Sequence, residues 1–164
     1  MSRPKPENAF TFSDKILDFT SLIIIAVNII FTAYHYSGLP EIIPTHFDLK
    51  GNPDGYNNKI TVWLLPVISL VMYIGLVYLN KIPHHFNYLV KISSENAQVQ
   101  YKLAQSLVRQ LNLIICLTFL IINYYSIESA NNNVSGDFAL MLIYLPITLF
   151  FVLVRYLYVS SKKR

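Results

Sequence analysis

LPEIIPTHFDLKGNPDGYNNK, residues Leu39–Lys59, is a polar segment rich in proline and glycine, set between two long apolar runs. Pro40 and Pro44 forbid a helix through its first part, because proline lacks the N–H and its ring clashes with the preceding turn. Ile43-Pro44-Thr45-His46-Phe47-Asp48 alternates like a short extended segment. Asp48-Leu49-Lys50-Gly51 and Asn52-Pro53-Asp54-Gly55 then read as two consecutive turns, each opened by a side-chain acceptor and closed by glycine. The segment is expected to be an ordered loop, with Ile42, Ile43, Phe47 and Leu49 docking it on the ends of the flanking helices.

On its amino-terminal side, Ile16–Tyr36 (ILDFTSLIIIAVNIIFTAYHY) is long enough to cross a hydrocarbon core of about 30 Å. This apolar run is too long for a signal peptide, and Ala33-Tyr34-His35 is no small-x-small cleavage site, so it reads as a retained helix. On the other side Ile60–Leu79 (ITVWLLPVISLVMYIGLVYL) is a second span, entered through Asn57 or Asn58 as N-cap and expected to kink at Pro66. Asn80–Ser106 is too polar for lipid. Within it Ser93 or Ser94 opens a capping pattern that runs through ENAQVQYKLAQSLVRQL into a third span, 107–127, without a break. Glu128–Asp137 is a polar turn, and Phe138–Val159 is a fourth span. Asn112, Thr118 and Asn123 in the third span are expected to hydrogen-bond between helices, and Arg155 in the fourth to snorkel to the interface.

With 54% hydrophobic against 13% charged residues, the chain is far from a soluble domain, and the expected class is an all-α integral membrane four-helix bundle. It forms one domain, 16–159, between a polar tail, 1–15, with too little apolar content to fold alone, and a basic tail, 160–164. The net charge of +4 is scattered at the ends of apolar runs, not gathered in a stripe with aromatics, which excludes a nucleic-acid partner. The lysines and arginines fall on the side of the tails and of 80–106, except Lys50 and Lys59. Excess Lys and Arg stay in the cytoplasm, so both termini are expected inside and the loop 38–59 outside the inner membrane. The single Cys116 allows no intramolecular disulfide.

Leu39-Pro40, Ile43-Pro44-Thr45-His46-Phe47, Gly51, Pro53-Asp54-Gly55-Tyr56 and Lys59 together form a pattern that resembles the signature of the bacterial membrane family catalogued as domain of unknown function 1648, which includes SdpI-type toxin-immunity proteins. Phe86-Asn87-Tyr88, Val90-Lys91-Ile92, Glu95-Asn96-Ala97 and Gln100-Tyr101-Lys102-Leu103-Ala104 are similar to the cytoplasmic stretch of its short four-helix members. The resemblance implies family and architecture, and it favours a non-enzymatic immunity or sensing role. SdpI itself is longer and has additional helices.

The candidate ligand-binding residues are His46, Asp54 and Lys59, with Asp48 and Tyr56 beside them. Asp54, between Pro53 and Gly55, is expected to cap a turn, whereas the extended segment around His46 gives its imidazole no local duty. Lys59 sits at a helix N-terminus, where the macrodipole disfavours a cation, so it is expected to have Asp54, Asp48 or an anionic ligand as partner. Three function classes stand open. One is an immunity or sensing protein that binds an extracytoplasmic peptide or small ligand, with 80–106 free to contact a cytoplasmic protein. Another is a metal-dependent membrane enzyme with His35, His46, Asp48 and Asp54 as ligands, although no spacing such as HExxH occurs. The third is an accessory transport subunit, since no charged pathway for autonomous ion-coupled transport is evident. No cofactor and no catalytic residue are implied.

Overall fold

The computed structural model describes residues 3–7, 10–48, 50–131 and 138–163, the stretch 138–142 as backbone. Among the described residues four helices are long and apolar enough to cross a membrane, the mark of a multi-pass membrane protein. They are α1 (Phe12–Tyr36), α2 (Leu64–Leu79) together with the turn Lys59–Trp63 that leads into it, α3 (Ala97–Ala130) and, from Ile143 on, α4 (Phe138–Lys162). The all-α expectation needs one correction, because the segment after α1 contains an antiparallel hairpin, β1 (Ile42–Phe47) and β2 (Pro53–Asn58). Of the residues named above, Leu49 and positions 132–137 of the expected polar turn lie outside the described residues.

Caps, more than hydropathy, set the helix ends. α1 starts one turn before its apolar run because Thr11 and Asp14 form a capping box, with Asp14 N–H donating to Thr11 Oγ1 at 3.2 Å and Thr11 N–H to Asp14 Oδ2 at 2.9 Å. Asn58 caps the second span as expected, its Oδ1 accepting from Ile60 N–H at 3.0 Å. The first turn there, Lys59–Trp63, is a 3-10 helix, so Pro66 occupies the opening turn of α2, where a missing N–H costs little. Ser93 and Asn96 bond reciprocally before α3, Ser93 N–H to Asn96 Oδ1 at 2.9 Å and Asn96 N–H to Ser93 Oγ at 3.3 Å. From there α3 runs unbroken for 34 residues, about 51 Å at 1.5 Å per residue, well beyond the hydrocarbon thickness.

α3 is the central rod, packed against α1, α2, α4 and β1. Asn123 bonds between helices as expected, donating to Asn28 Oδ1 at 2.8 Å and to Thr32 Oγ1 at 2.7 Å on α1. Asn112 and Thr118 depart from expectation. Thr118 Oγ1 donates back to Ile114 O at 2.7 Å, and Asn112 Oδ1 accepts from Cys116 Sγ, both within α3.

At the end opposite the hairpin, the amino-terminal tail is held down. Arg3 Nη1 donates to Phe86 O at 2.6 Å and His84 O at 3.0 Å, Gln98 Nε2 to Lys5 O at 2.8 Å, and Tyr101 OH to Pro4 O at 3.0 Å. The 80–106 segment, expected to be free for a partner protein, thus carries part of the chain's own tail. Arg109, 3% exposed, donates through Nε to Asp18 Oδ2 at 3.1 Å and pairs through Nη1 with Asp14 at 3.4 Å. One cation thereby pairs with both carboxylates of α1.

Candidate ligand site beneath the hairpin

The hairpin turn is built by Asp48. Its Oδ1 accepts from the Lys50 and Asn52 N–H groups, both at 2.8 Å, and its Oδ2 from Asn52 Nδ2 at 3.0 Å. The Asn52 side-chain amide, then the Asn52 and Lys50 N–H groups and the Lys50 charge, hold the Asp48 carboxyl below the usual carboxylate range. Gly51 closes the turn at φ 84°, in the left-handed region, with its N–H donating to Asp48 O at 2.9 Å. The first of the two expected turns is therefore present, and the second is replaced by strand β2. Asp48 is a turn cap.

The strands pair Pro44 with Tyr56, His46 with Gly55 and Phe47 with Pro53. Thr45 and Asp54 are each an extra residue in this register, a double irregularity that re-aims the side chains next to it. Gly55 is required opposite His46, since a Cβ there would lie 2.8 Å from His46 Cβ. With that space empty, His46 Nδ1 meets Asp54 Oδ1 across the strands. Two expectations are corrected here. Asp54 does not cap a turn, and His46 does have a fixed partner. The pairing orients the imidazole and leaves Nε2 without a hydrogen bond among the described residues.

Lys59 belongs to the other end of the hairpin. It pairs with Glu41 Oε1 at 2.9 Å and lies over the Tyr36 ring at 5.6 Å. Its carboxylate is thus Glu41, not Asp54 or Asp48, because Glu41 is its neighbour where β1 and β2 leave the membrane end of the sheet. His46 is five residues beyond Glu41 along the chain, roughly 16 Å at 3.3 Å per residue. His46, Asp54 and Lys59 therefore do not form one cluster. Tyr56 is 58% exposed, and Asp48 is committed to the turn.

The hairpin is docked by Ile43, which is fully buried against Leu39, Val62 and Ile127. Ile42, expected to share that task, points outward at 58% exposed, since neighbours on a strand face opposite sides. Docking leaves a recess of about 470 Å³ between β1, the start of the second span and α3. Its polar wall is Thr45, His46, Asn57 and Thr61, and its floor Asn123 and Ser126. Ile43, Val62, Leu64, Leu65 and Ile122 make the apolar side. Asn57 Nδ2 donates to Thr45 Oγ1 at 2.8 Å and so fixes the rim. Among the described residues no carboxylate lines the recess. Of these residues only His46 stood out in the sequence as a ligand-binding candidate. The others are ordinary Thr, Asn and Ser, whose convergence depends on the hairpin folding back over α3.

The ligand set of a metal enzyme does not assemble. Among the described residues no three His, Cys, Asp or Glu side chains come together to hold an ion. His35 stacks with Phe31 and Tyr34 at ring-centroid distances of 4.5 and 5.0 Å, at the end of α1.

Residues 23–70, from the middle of α1 through the hairpin into α2, match the family model described as Domain of unknown function (DUF1648), the family expected from the loop pattern. No curated protein and no solved structure matches the chain.

Proposed function

We propose, with the family match over 23–70 as premise, that this multi-pass membrane protein is a non-enzymatic immunity or sensing protein of a bacterial inner membrane. It binds an amphipathic peptide or small ligand in the recess beneath its outward-facing hairpin. The observation that carries this reading is the recess itself. Its wall offers neutral hydrogen-bonding groups and one oriented imidazole, its other side is apolar, and its volume lies in the range of small-molecule sites. The one-sided distribution of Lys and Arg supports an extracytoplasmic hairpin.

The test is complementation of a deletion strain challenged with peptides secreted by its neighbours. His46→Ala removes the imidazole, and Thr61→Trp fills the recess. Both variants should lose protection while the protein reaches parental membrane abundance. Protection that falls only in proportion to abundance would make the recess scaffold.

A further inference from the structure

Arg155 on α4 differs from the other two described arginines. Arg3 and Arg109 are each engaged by carbonyls or carboxylates, whereas Arg155, exposed, makes no hydrogen bond or ion pair among the described residues. Its depth follows from two contacts of α3. Gln100 Nε2 donates to Ser160 O at 3.0 Å, pinning the end of α4, and Gln105 Nε2 donates to Asn80 O at 2.7 Å, at the C-cap of α2. Because α3 and α4 run antiparallel, Arg155 lies roughly 7.5 Å inward of Ser160, level with Gln105 and with the end of α2. This is where the apolar stretch of the second span stops. The guanidinium sits at lipid-headgroup depth.

Beside it runs a narrow groove of about 60 Å³ between α3 and α4. Ser106 and Gln110 face Arg155 across it, and Leu107 and Val152 line its deeper part. Gln110 Nε2 donates to Ser106 Oγ at 3.0 Å, so the Ser106 hydroxyl accepts there and its own proton is left to donate outward. Lys102 lies one turn from Ser106 on the same face of α3 and is exposed. No Asp or Glu is among the described residues that line the groove, and Asp14 and Asp18 of α1 pair with Arg109. The groove therefore brings together a cation without a partner among the described residues, a hydroxyl donor and apolar side chains.

We infer that this groove is a binding site for an anionic phospholipid. Its phosphate is held by the Arg155 guanidinium and the Ser106 hydroxyl, and one acyl chain lies along Leu107 and Val152. A zwitterionic lipid brings its own cation toward Arg155 and Lys102 and fits less well. This site is independent of the recess beneath the hairpin.

Native mass spectrometry of the full chain in neutral detergent, with phosphatidylglycerol or phosphatidylcholine added, tests it. The parent should retain phosphatidylglycerol over phosphatidylcholine by about fivefold, the contribution of one well-placed cation at a lipid surface. Arg155→Gln should abolish that preference. Val152→Phe, which fills the groove and keeps the charge, should abolish it too, and it carries the test alone should Arg155→Gln not fold. An equal affinity of the parent for both lipids, or a preference that survives Val152→Phe, overturns the inference. So does displacement of the lipid by millimolar inorganic phosphate, which would mark a site for the free anion.

Discussion

Asn123 on α3 donates a hydrogen bond of 2.8 Å to Asn28 Oδ1 on α1, and both side chains are almost wholly buried, at 1% exposed. The same amide also donates to Thr32 at 2.7 Å, so one residue ties the central helix to α1 directly below the recess. In a bilayer no water replaces these partners, and polar contacts between spans hold helices together where apolar packing alone has little to distinguish it from lipid.

Asn123→Ala should therefore destabilise the bundle by about 1–3 kcal/mol, the loss of two interhelical bonds with their acceptors left behind. Thermal melting in detergent measures it. A melting temperature equal to that of the parent would mean that the polar tie contributes nothing.

The hairpin offers a comparison of neighbours. Ile43 is fully buried against Leu39, Val62 and Ile127, and Ile42 is exposed. Ile43→Ala should cost about 2–5 kcal/mol, whereas Ile42→Ala should stay within about 0.5 kcal/mol. Equal effects at the two positions would contradict the docking of the hairpin through one face.

The spans were legible in the sequence because twenty apolar residues have few alternatives, and the long α3 was legible because Ser93 announces it. The hairpin was not. PDGYNN in β2 is poor in strand-forming residues, and Pro44 within β1 argues against a ladder. These strands persist because Ile43 anchors them on Val62 and Ile127 and because Gly55 lets the chain approach His46, a long-range fit that no local pattern encodes. Asp54 and Lys59 illustrate the same limit. Asp48 accepts in the turn that its local pattern announces, whereas the partners of Asp54 and Lys59 were set by the strand register, which gives Asp54 to His46 and Lys59 to Glu41. The tail went unread for another reason. Residues 3–7 carry little apolar surface, and they are held by bonds to the Phe86 carbonyl and to the side chains of Gln98 and Tyr101, which only the fold brings near.

The central claim is an outward-facing recess that a ligand enters. Its most direct test is the rate of labelling by an impermeant maleimide on whole cells, in a Cys116→Ser background, since Cys116 is otherwise the only thiol. Thr45→Cys places a thiol on the recess wall, Lys50→Cys one on the exposed hairpin turn outside it, and Lys91→Cys one at the opposite end. Positions 45 and 50 should be labelled from outside and position 91 should not. Adding the peptide fraction of spent culture medium should slow labelling at 45 and leave 50 unchanged. Labelling of 91 from outside, or rates at 45 and 50 that respond alike to the peptide fraction, would contradict the account.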